Sequence, residues 1–389
     1  MKLISLKLNL KTLNARNTKA KGKSDTVFFI SVVLLAVFGT VMVCSAGYAY
    51  AYFRYDDGFY FMKKQIVWLL LGFTVMTVGS RIDISFFKRI TPYLYFISLA
   101  LLILTLAVGM VGNGAQRWIS IGPLTIQPSE IAKLTLILML AKYFDENYER
   151  AMSRKNKRHS FVFGTLIPLI ITVVPIILVM LQRHLSCIII LGAIGVILIF
   201  VSGINPKYLL GFGAVGCAGV TYIALFTDYT KDRITVWQNP EAYKLTGGWQ
   251  TLQGLMAIGS GGIFGVGFGK SILKQCYVSE PANDMIFAIL CEELGLVGAL
   301  ITLLLFALLV CRACIIGIRS SDMFSRLVAF GVSIKMAVQV LLNVAVVTNS
   351  IPNTGISLPF FSYGGSSLVM LFFEIGLLLS ISRQAKIIK

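Results

Sequence analysis

The sequence predicts an all-α, polytopic membrane protein with about ten transmembrane helices. Apolar residues make up 57% of the 389 residues and charged residues only 13%, whereas soluble domains carry about 25% charged residues. The apolar runs are also long enough to cross a bilayer, which takes roughly 20 residues per helix. We place the spans at 26–46, 61–79, 91–111, 127–144, 161–181, 186–202, 207–226, 284–310, 325–348 and 363–382.

The distribution of basic residues predicts the orientation of these helices. Of the 35 Lys and Arg residues, 23 lie in the terminal tails and alternate loops of one side, and 10 lie on the other. Because cytoplasmic loops carry the excess of Lys and Arg, we expect both termini in the cytoplasm. The same topology accounts for the net charge of +18, so we expect no nucleic-acid partner.

The predicted organisation has a basic N-terminal tail (1–25), a membrane domain (26–382) and a short C-terminal tail (383–389). The first apolar run exceeds the ~7–15 residues of a signal-peptide core, so we interpret it as an uncleaved span. Within the membrane domain, residues 227–283 form one long extracellular loop. This loop is too rich in Trp, Tyr and Gly, and too poor in charge, to be typical of disorder.

Cysteine and histidine usage argues against a disulfide framework and a histidine metal site. The seven cysteines are an odd number and lie mostly in apolar runs, so we expect them to be reduced and structural. Cys311 and Cys314 form a C-x-x-C without the second pair that zinc would need. His159 and His184 lie far apart in the sequence.

Four polar segments fall on the predicted outer face: Gly112–Glu130, Gln182–Ser186, Glu280–Asp284 and Asn349–Ser367. Their convergence is the main indication of function. Asp284 stands directly before an apolar run, and a carboxylate there is costly unless it pairs, lines a wet cavity or does chemistry. The alternative is a plain helix N-cap.

The first polar segment contains two pairs of candidate residues. Glu130 and Lys133 are three residues apart, so they share a helix face and neutralise each other inside the bilayer. This pair is either functional or purely structural. Arg117 and Trp118 lie at the outer interface and are candidates for binding a substrate, although Trp is also common there as a belt residue.

The long loop contains a glycine-rich stretch, 259–269, followed by Lys270 and Lys274. Successive backbone N–H groups of such a stretch can form an anion-binding nest. The stretch lacks the Gly-Lys-Ser/Thr of a P-loop, and the location outside the membrane excludes a nucleotide fold.

The last polar segment carries no charge, two prolines and several hydroxyl side chains. Irregular backbone at membrane depth is tolerated where it is buried in protein or lines a cavity. Ser362, Tyr363, Ser366 and Ser367 are candidates for binding a sugar or a phosphate. The alternative is a re-entrant structural turn.

Four long motifs occur in order along the chain: Gln116–Ile119 with Gln127–Lys133, Ala257–Gly262, Asn283–Phe287 with Glu292–Gly295, and Leu358–Ser367. In these motifs the chain resembles the SEDS family (shape, elongation, division and sporulation), which comprises the FtsW, RodA and SpoVE proteins. The resemblance covers about residues 30–385. It implies ten spans, cytoplasmic termini and a polymerase of peptidoglycan glycan strands that uses lipid II outside the bacterial cytoplasmic membrane.

The resemblance assigns the family's catalytic aspartate to Asp284, its functionally important tryptophan to Trp118 and its Glu–Lys pair to Glu130 and Lys133. The chain departs from the family in three places, one of which is Asn349, where a glycine is frequent. It has Asn283-Asp284-Met285 where Thr-Asp-Phe is frequent, and Gln182–Ser186 lacks the family's carboxylate.

We therefore expect an inverting glycosyltransferase in which Asp284 is the general base. Cationic groups would stabilise the leaving pyrophosphate, either alone or with a divalent cation such as Mg²⁺ or Mn²⁺. The candidates are Arg117, Arg233, Lys270 and Lys274. The expected partners are lipid II, a class B penicillin-binding protein (a transpeptidase) and other division or elongation proteins.

The rival hypothesis is a lipid II flippase or a transporter of lipid-linked precursors. A carrier needs binding groups near the midplane that both sides can reach. In this sequence the polar motifs crowd the outer face, which favours the enzyme.

Overall fold

The described part of the chain is mostly helical. The computed structural model describes residues 24–112, 115–122, 124–153, 157–203 and 228–384. Their helices, numbered in chain order, are α1 Thr26–Tyr55, α2 Tyr60–Arg81, α3 Ile84–Val108, α4 Pro128–Ala151, α5 Lys157–Phe161, α6 Ile167–Leu181, α7 Leu185–Val201, α8 Asp228–Gln238, α9 Trp249–Gly261, α10 Ile286–Arg319, α11 Met323–Val347 and α12 Gly365–Gln384. A single π-helical turn, Val162–Leu166, joins α5 to α6.

A small antiparallel sheet interrupts the helices between α3 and α4. Its strands are β1 Met110–Gly112, β2 Ala115–Ile121 and β3 Leu124–Ile126, in the order β1-β2-β3. The sheet occupies the first polar segment of the sequence. Pro128 occupies the first turn of α4, where its missing N–H costs nothing.

The prediction of a polytopic helical membrane protein is confirmed. Seven helical segments of the described chain are long and apolar enough to cross a membrane, and the 17-residue α7 is a shorter apolar helix. At 24 residues, α4 is long enough but carries more charge, including Glu130 and Lys133. The predicted span 207–226 lies outside the described residues.

The two ends of the described chain meet on one face. The Asp25 N–H donates to Ser382 Oγ at 3.2 Å. Arg312, near the end of α10, donates to the Asp25 carboxylate at 2.6 Å. The start of α1 and the ends of α10 and α12 therefore share the face that the charge bias assigns to the cytoplasm.

The Asp284 turn lies at the other end of α1. A Cβ placed on Gly47 would lie 3.4 Å from the Ala282 Cβ. Gly47 is 21 residues into α1, or about 32 Å along the axis at 1.5 Å per residue. That length matches the ~30 Å hydrocarbon core, so the turn lies at the outer face.

The predicted span 284–310 is interrupted by a kink, and its membrane-crossing part begins later in the sequence than predicted. Helix α10 kinks at Gly295, which has φ 66° and ψ −166°. Before the kink, Glu293 accepts from Ser45 at 2.7 Å, only two residues along α1 from the Gly47 contact with Ala282. The first part of α10 therefore lies across α1, and the part that follows Gly295 spans the membrane.

The glycine-rich stretch packs its backbone against this kink. Val266 N–H donates to Glu292 O at 2.9 Å, and Leu296 N–H donates to Gly262 O at 3.0 Å. A Cβ on Gly265 would lie 2.2 Å from Glu293 O, closer than any side chain allows. This close approach explains the glycine at position 265. The Val266 amide is bound to a carbonyl instead of facing outward as an anion nest requires.

A network of four buried charges joins α4, α11 and α12. Lys133 donates to Glu130 at 2.6 Å, and Lys335 lies 2.6 Å from Glu374 and 3.6 Å from Glu130. All four side chains are at most 7% exposed. Each charge has an opposite neighbour, which offsets the large cost of placing it in the membrane.

Candidate active site

Asp284 is held by its own backbone. Its carbonyl accepts from the Asn343 side-chain amide at 2.9 Å, and the same amide donates to Ile356 O at 2.7 Å. Asn343 projects from α11 and is fully buried. The Asn343 side chain therefore joins the turn Glu280–Asp284 to the Asn349–Ser367 segment. It does not engage the Asp284 carboxylate.

The Asp284 carboxylate is half-buried between α9 and the turn at Gly355. Its Oδ1 accepts from Gln250 Nε2 at 3.5 Å. Its Oδ2 would lie 3.6 Å from a Cβ on Gly355, whose φ of 63° also favours glycine. A Cβ at position 355 would be in ordinary van der Waals contact with the carboxylate, so the positive φ is what favours glycine there.

The surroundings of Asp284 raise its pKa to about 7. Burial is the largest cause, and the nearby Glu280 carboxylate adds to it. The Gln250 amide and the Arg233 guanidinium lower the pKa of Asp284 in opposition. A carboxyl group with a pKa near neutrality can both take and release a proton under physiological conditions.

The Ser362–Ser367 turn adjoins the Asp284 turn directly. Ser362 Oγ donates to Asn283 O at 2.6 Å and accepts from Leu358 N–H at 2.7 Å. The Tyr363 N–H donates to Ala282 O at 2.8 Å. Ser362 and Tyr363, two of the predicted binding residues, are therefore hydrogen-bonded to the two residues that precede Asp284.

The other candidates of this turn differ in how they are engaged. The Ser366 hydroxyl is buried and has no hydrogen-bond partner within the described part of the chain. Ser367 Oγ donates to Gly364 O at 3.2 Å. The Tyr363 ring packs edge-on against Phe61, with 4.9 Å between centroids.

A small polar cavity of about 20 Å³ lies beneath this turn. Ser362 and Ser367 line it from the side of the turn, and Glu130, Lys335 and Gln339 line it from the helices. Two members of the buried charge network, Glu130 and Lys335, therefore line a cavity that is also lined by Ser362. Ser362 is hydrogen-bonded to Asn283, the residue before Asp284.

The sheet is connected to the site through the Gln182–Ser186 turn. Arg117 Nη2 donates to Arg183 O at 2.6 Å, and Ser186 Oγ donates to Thr354 O at 2.7 Å. Trp118, half-buried, stands next to Arg117 on β2, opposite Met110 of β1. The predicted convergence of the polar segments is therefore a chain of direct contacts, while the proximity of Trp118 to Asp284 stays a prediction.

His184 lies in the same turn and is neutral. Burial lowers its pKa to about 3, and the charges of Arg117 and Lys133 add to this effect.

The structure separates the predicted cations. Arg233 of α8 donates to Asn353 O, two residues from Gly355. Lys274 is buried and donates to Glu293 at 2.7 Å and to Ser45 at 2.9 Å. This geometry favours a structural role for Lys274.

Lys270 is exposed on the glycine-rich stretch. Within the described ranges, no three His, Cys, Asp or Glu side chains lie together in a way that could hold a metal ion. The six described cysteines are free.

Sequence reasoning missed Gln250, Asn343 and Asn353. A usable signal existed for one of them, because Lys335, Gln339 and Asn343 follow one another at four-residue intervals on α11 and so share a face. Gln250 and Asn353 lie in the outer segments, where polar residues are common and no pattern marks them.

The fold and this site define a multi-pass membrane protein with a polar site at the outer face. The profile of the FtsW/RodA/SpoVE cell cycle proteins matches residues 25–387. The chain belongs to this family.

Relatives match over nearly the whole chain. Stage V sporulation protein E of Bacillus subtilis (strain 168) is 37% identical over 371 residues, which cover 95% of this chain and 100% of the relative. A probable peptidoglycan glycosyltransferase FtsW of Geobacter sulfurreducens is 34% identical, covering 95% of this chain and 98% of the relative.

Two solved structures share the fold. A chain from a structure of a peptidoglycan synthase complex has a TM-score of 0.77 and 27% identity, over 92% of this chain and 98% of that chain. The rod shape determining protein RodA of Thermus thermophilus has a TM-score of 0.69 and 28% identity, over 93% of this chain and 97% of that chain.

Proposed function

We propose that this protein is a peptidoglycan glycosyltransferase that polymerises lipid II into glycan strands at the outer face of the cytoplasmic membrane. The observation that carries the proposal is Asp284, a half-buried carboxylate with a pKa of about 7 at the outer end of the bundle. Family membership supplies the substrate class. The position of this carboxylate at the outer end of the bundle supports its assignment as the base.

Asp284 acts as the general base. The 4-hydroxyl oxygen of the incoming lipid II attacks the anomeric carbon of the growing strand and forms the new glycosidic bond. The bond from that carbon to the pyrophosphate oxygen breaks, and its electron pair leaves with the polyprenyl pyrophosphate. The hydroxyl proton goes to the Asp284 carboxylate, whose pKa near neutrality suits this transfer.

Cationic groups stabilise the charge that develops on the pyrophosphate. Arg233 is the best placed, because it contacts Asn353 beside Gly355. Arg117 is placed by the Gln182–Ser186 turn at the edge of the same cluster. Lys270 is exposed and within the same outer loop, and a divalent cation, Mg²⁺ or Mn²⁺, remains part of the hypothesis.

The Ser362–Ser367 turn binds the sugar or phosphate groups of the substrate. Ser366 supports this assignment because its hydroxyl has no partner within the described residues. Tyr363 and Trp118 supply aromatic surface at the outer interface.

The partner of the polymerase is a class B penicillin-binding protein that crosslinks the new strands. One of the matching structures is of a peptidoglycan synthase complex that coordinates polymerization and crosslinking, which supports a complex of the same kind here. Other division or elongation proteins complete the proposed set of partners.

The test is polymerisation of lipid II by purified protein in detergent, with and without its co-expressed transpeptidase, where transport has no meaning. Glycan strands separated on a gel are the expected product, and Asp284→Asn is the control. Absence of product in both preparations, with translocation of lipid II in vesicles, would establish the flippase hypothesis instead.

A further inference from the structure

Three side chains and one backbone amide form a chain of hydrogen bonds that ends on Asp284. The Gly355 N–H donates to Asn353 Oδ1 at 3.0 Å. Asn353 Nδ2 donates to Gln250 Oε1 at 3.1 Å. Gln250 Nε2 then donates to Asp284 Oδ1 at 3.5 Å, which is long for a hydrogen bond. We call this series the amide relay.

The backbone amide determines the direction of the whole relay. An N–H group can only donate, so the Asn353 oxygen must face Gly355 and the Asn353 nitrogen must face Gln250. Gln250 then presents its oxygen to Asn353, which leaves only its N–H group for Asp284. The orientation of two side-chain amides, which otherwise interconvert by a simple flip, is therefore specified.

We propose that Gln250 is a positioning residue for Asp284, held by Asn353 as an obligatory donor to the carboxylate so that the second oxygen faces the acceptor hydroxyl. The inference rests on the proposed function, in which Asp284 is the base. Gln250 does not touch the reacting atoms and acts through Asp284.

The amide relay lowers the pKa of Asp284 against surroundings that raise it. Burial and Glu280 favour the protonated carboxyl, whereas Arg233 and the Gln250 amide favour the carboxylate. Asn343 donates to the backbone carbonyl of Asp284 and not to its carboxylate. Without Gln250, the pKa of Asp284 rises above about 7, and the enzyme needs a higher pH to hold its base ionised.

The test is the pH profile of lipid II polymerisation between pH 5.5 and 9.5 for the wild type and Gln250→Ala. We expect the acid limb of the variant to move upward by about one pH unit, which is a tenfold loss on that limb. At pH 9 the variant should recover to within about threefold of the wild type. A loss of equal size at every pH would overturn the relay, because a merely structural defect is not reversed by pH.

Gln253→Ala is the matched control. Gln253 is the same residue type on α9, is buried and takes no part in the relay, so its acid limb should stay in place. Equal shifts in the two variants would also overturn the proposal.

Asn353→Asp tests the direction of the relay. The introduced carboxylate would accept from Gly355 with one oxygen and present the other to Gln250, which must then turn its own oxygen toward Asp284. The acid limb should move further than in Gln250→Ala. The double variant, Gln250→Ala with Asn353→Asp, should shift the acid limb by less than the sum of the shifts of the two single variants, because the added charge acts partly through Gln250. Strictly additive shifts would contradict transmission through Gln250.

Failure of this inference and failure of the proposed function give different results. Near-normal polymerisation by Asp284→Asn would refute Asp284 as the base and the relay with it. An inactive Asp284→Asn, together with an unshifted Gln250→Ala, would refute the relay alone.

Discussion

The side chain of Asn343 binds the main-chain carbonyl of Asp284 at 2.9 Å. Its amide also binds Ile356 O at 2.7 Å, so a buried residue of α11 holds together the two polar turns of the site. The backbone of Asp284 is thus fixed by a helix, whereas its carboxylate is set by the amide relay. This division allows the two contributions to be measured separately.

Asn343→Ala should lower stability and activity together. The substitution leaves two carbonyls without their donor, which costs about 1–3 kcal/mol for each buried group. We expect a lower Tm in detergent and reduced polymerisation at every pH, without a shift of the acid limb. Thr348→Ala, at the exposed C-cap of the same helix, is the control; a Tm for Asn343→Ala equal to that of the control would show that the two bonds are unimportant.

Asp284→Asn should remove activity and leave the fold intact. The amide keeps the size of the side chain and lacks the base, so polymerisation should fall by about 100-fold or more. The assay is glycan-strand synthesis with membrane localisation as the folding control. Product close to the wild-type amount would sink the assignment.

The same variant should be more stable than the wild type at high pH. The folded pKa of Asp284 is about 7, above the value near 3.9 of an unfolded chain, so the native state binds the extra proton between these values. Stability contributed by this group therefore falls as pH rises from about 4 to 7. We expect Asp284→Asn to raise Tm at pH 8 and to match the wild type near pH 4; an equal difference at both pH values would contradict the raised pKa.

The buried charge network should respond unequally to removal of its members. Glu130→Ala leaves Lys133 without its partner at 2.6 Å, which we expect to cost about 3–5 kcal/mol. Lys133→Ala should cost less, since Lys335 remains near Glu130, and the double variant should be milder than Glu130→Ala. Thermal unfolding in detergent measures all three.

The exposed pair Lys63–Asp57 provides the comparison for the network. An exposed pair contributes about 0–1 kcal/mol, so Lys63→Ala should barely change Tm. Additive losses for Glu130 and Lys133 would argue against a direct interaction between them.

Substitutions of Lys274 and Lys270, two lysines of the outer loop, should have different effects on stability and activity. Lys274→Met leaves Glu293 buried and unpaired, so we expect a clear loss of Tm. Lys270→Met removes an exposed charge and should leave Tm unchanged. A Lys270 variant with lower polymerisation at full stability would support its role at the pyrophosphate, and an unchanged Tm for Lys274→Met would contradict the structural assignment.

The sequence by itself determined the membrane class and the pairing of Glu130 with Lys133, whereas Asp284 as the base stays a prediction. Transfer of apolar residues into lipid is a local property that sums along the chain, and the bias of basic residues reads out orientation in the same way. Glu130 and Lys133 also met as their helical spacing predicts, since i, i+3 neighbours need no information beyond one helix.

Only the tertiary structure decided which side chains surround Asp284. Gln250, Asn343 and Asn353 come from segments that are distant in the sequence, and their hydrogen bonds exist only after α9, α11 and the Asn349–Ser367 segment have packed together. The same is true of Lys274, whose partners Glu293 and Ser45 lie on two other helices. The kink at Gly295 depends on backbone contact with Gly265. Helical periodicity predicts which residues share a face of one helix. It does not predict which other segment of the chain packs against that face.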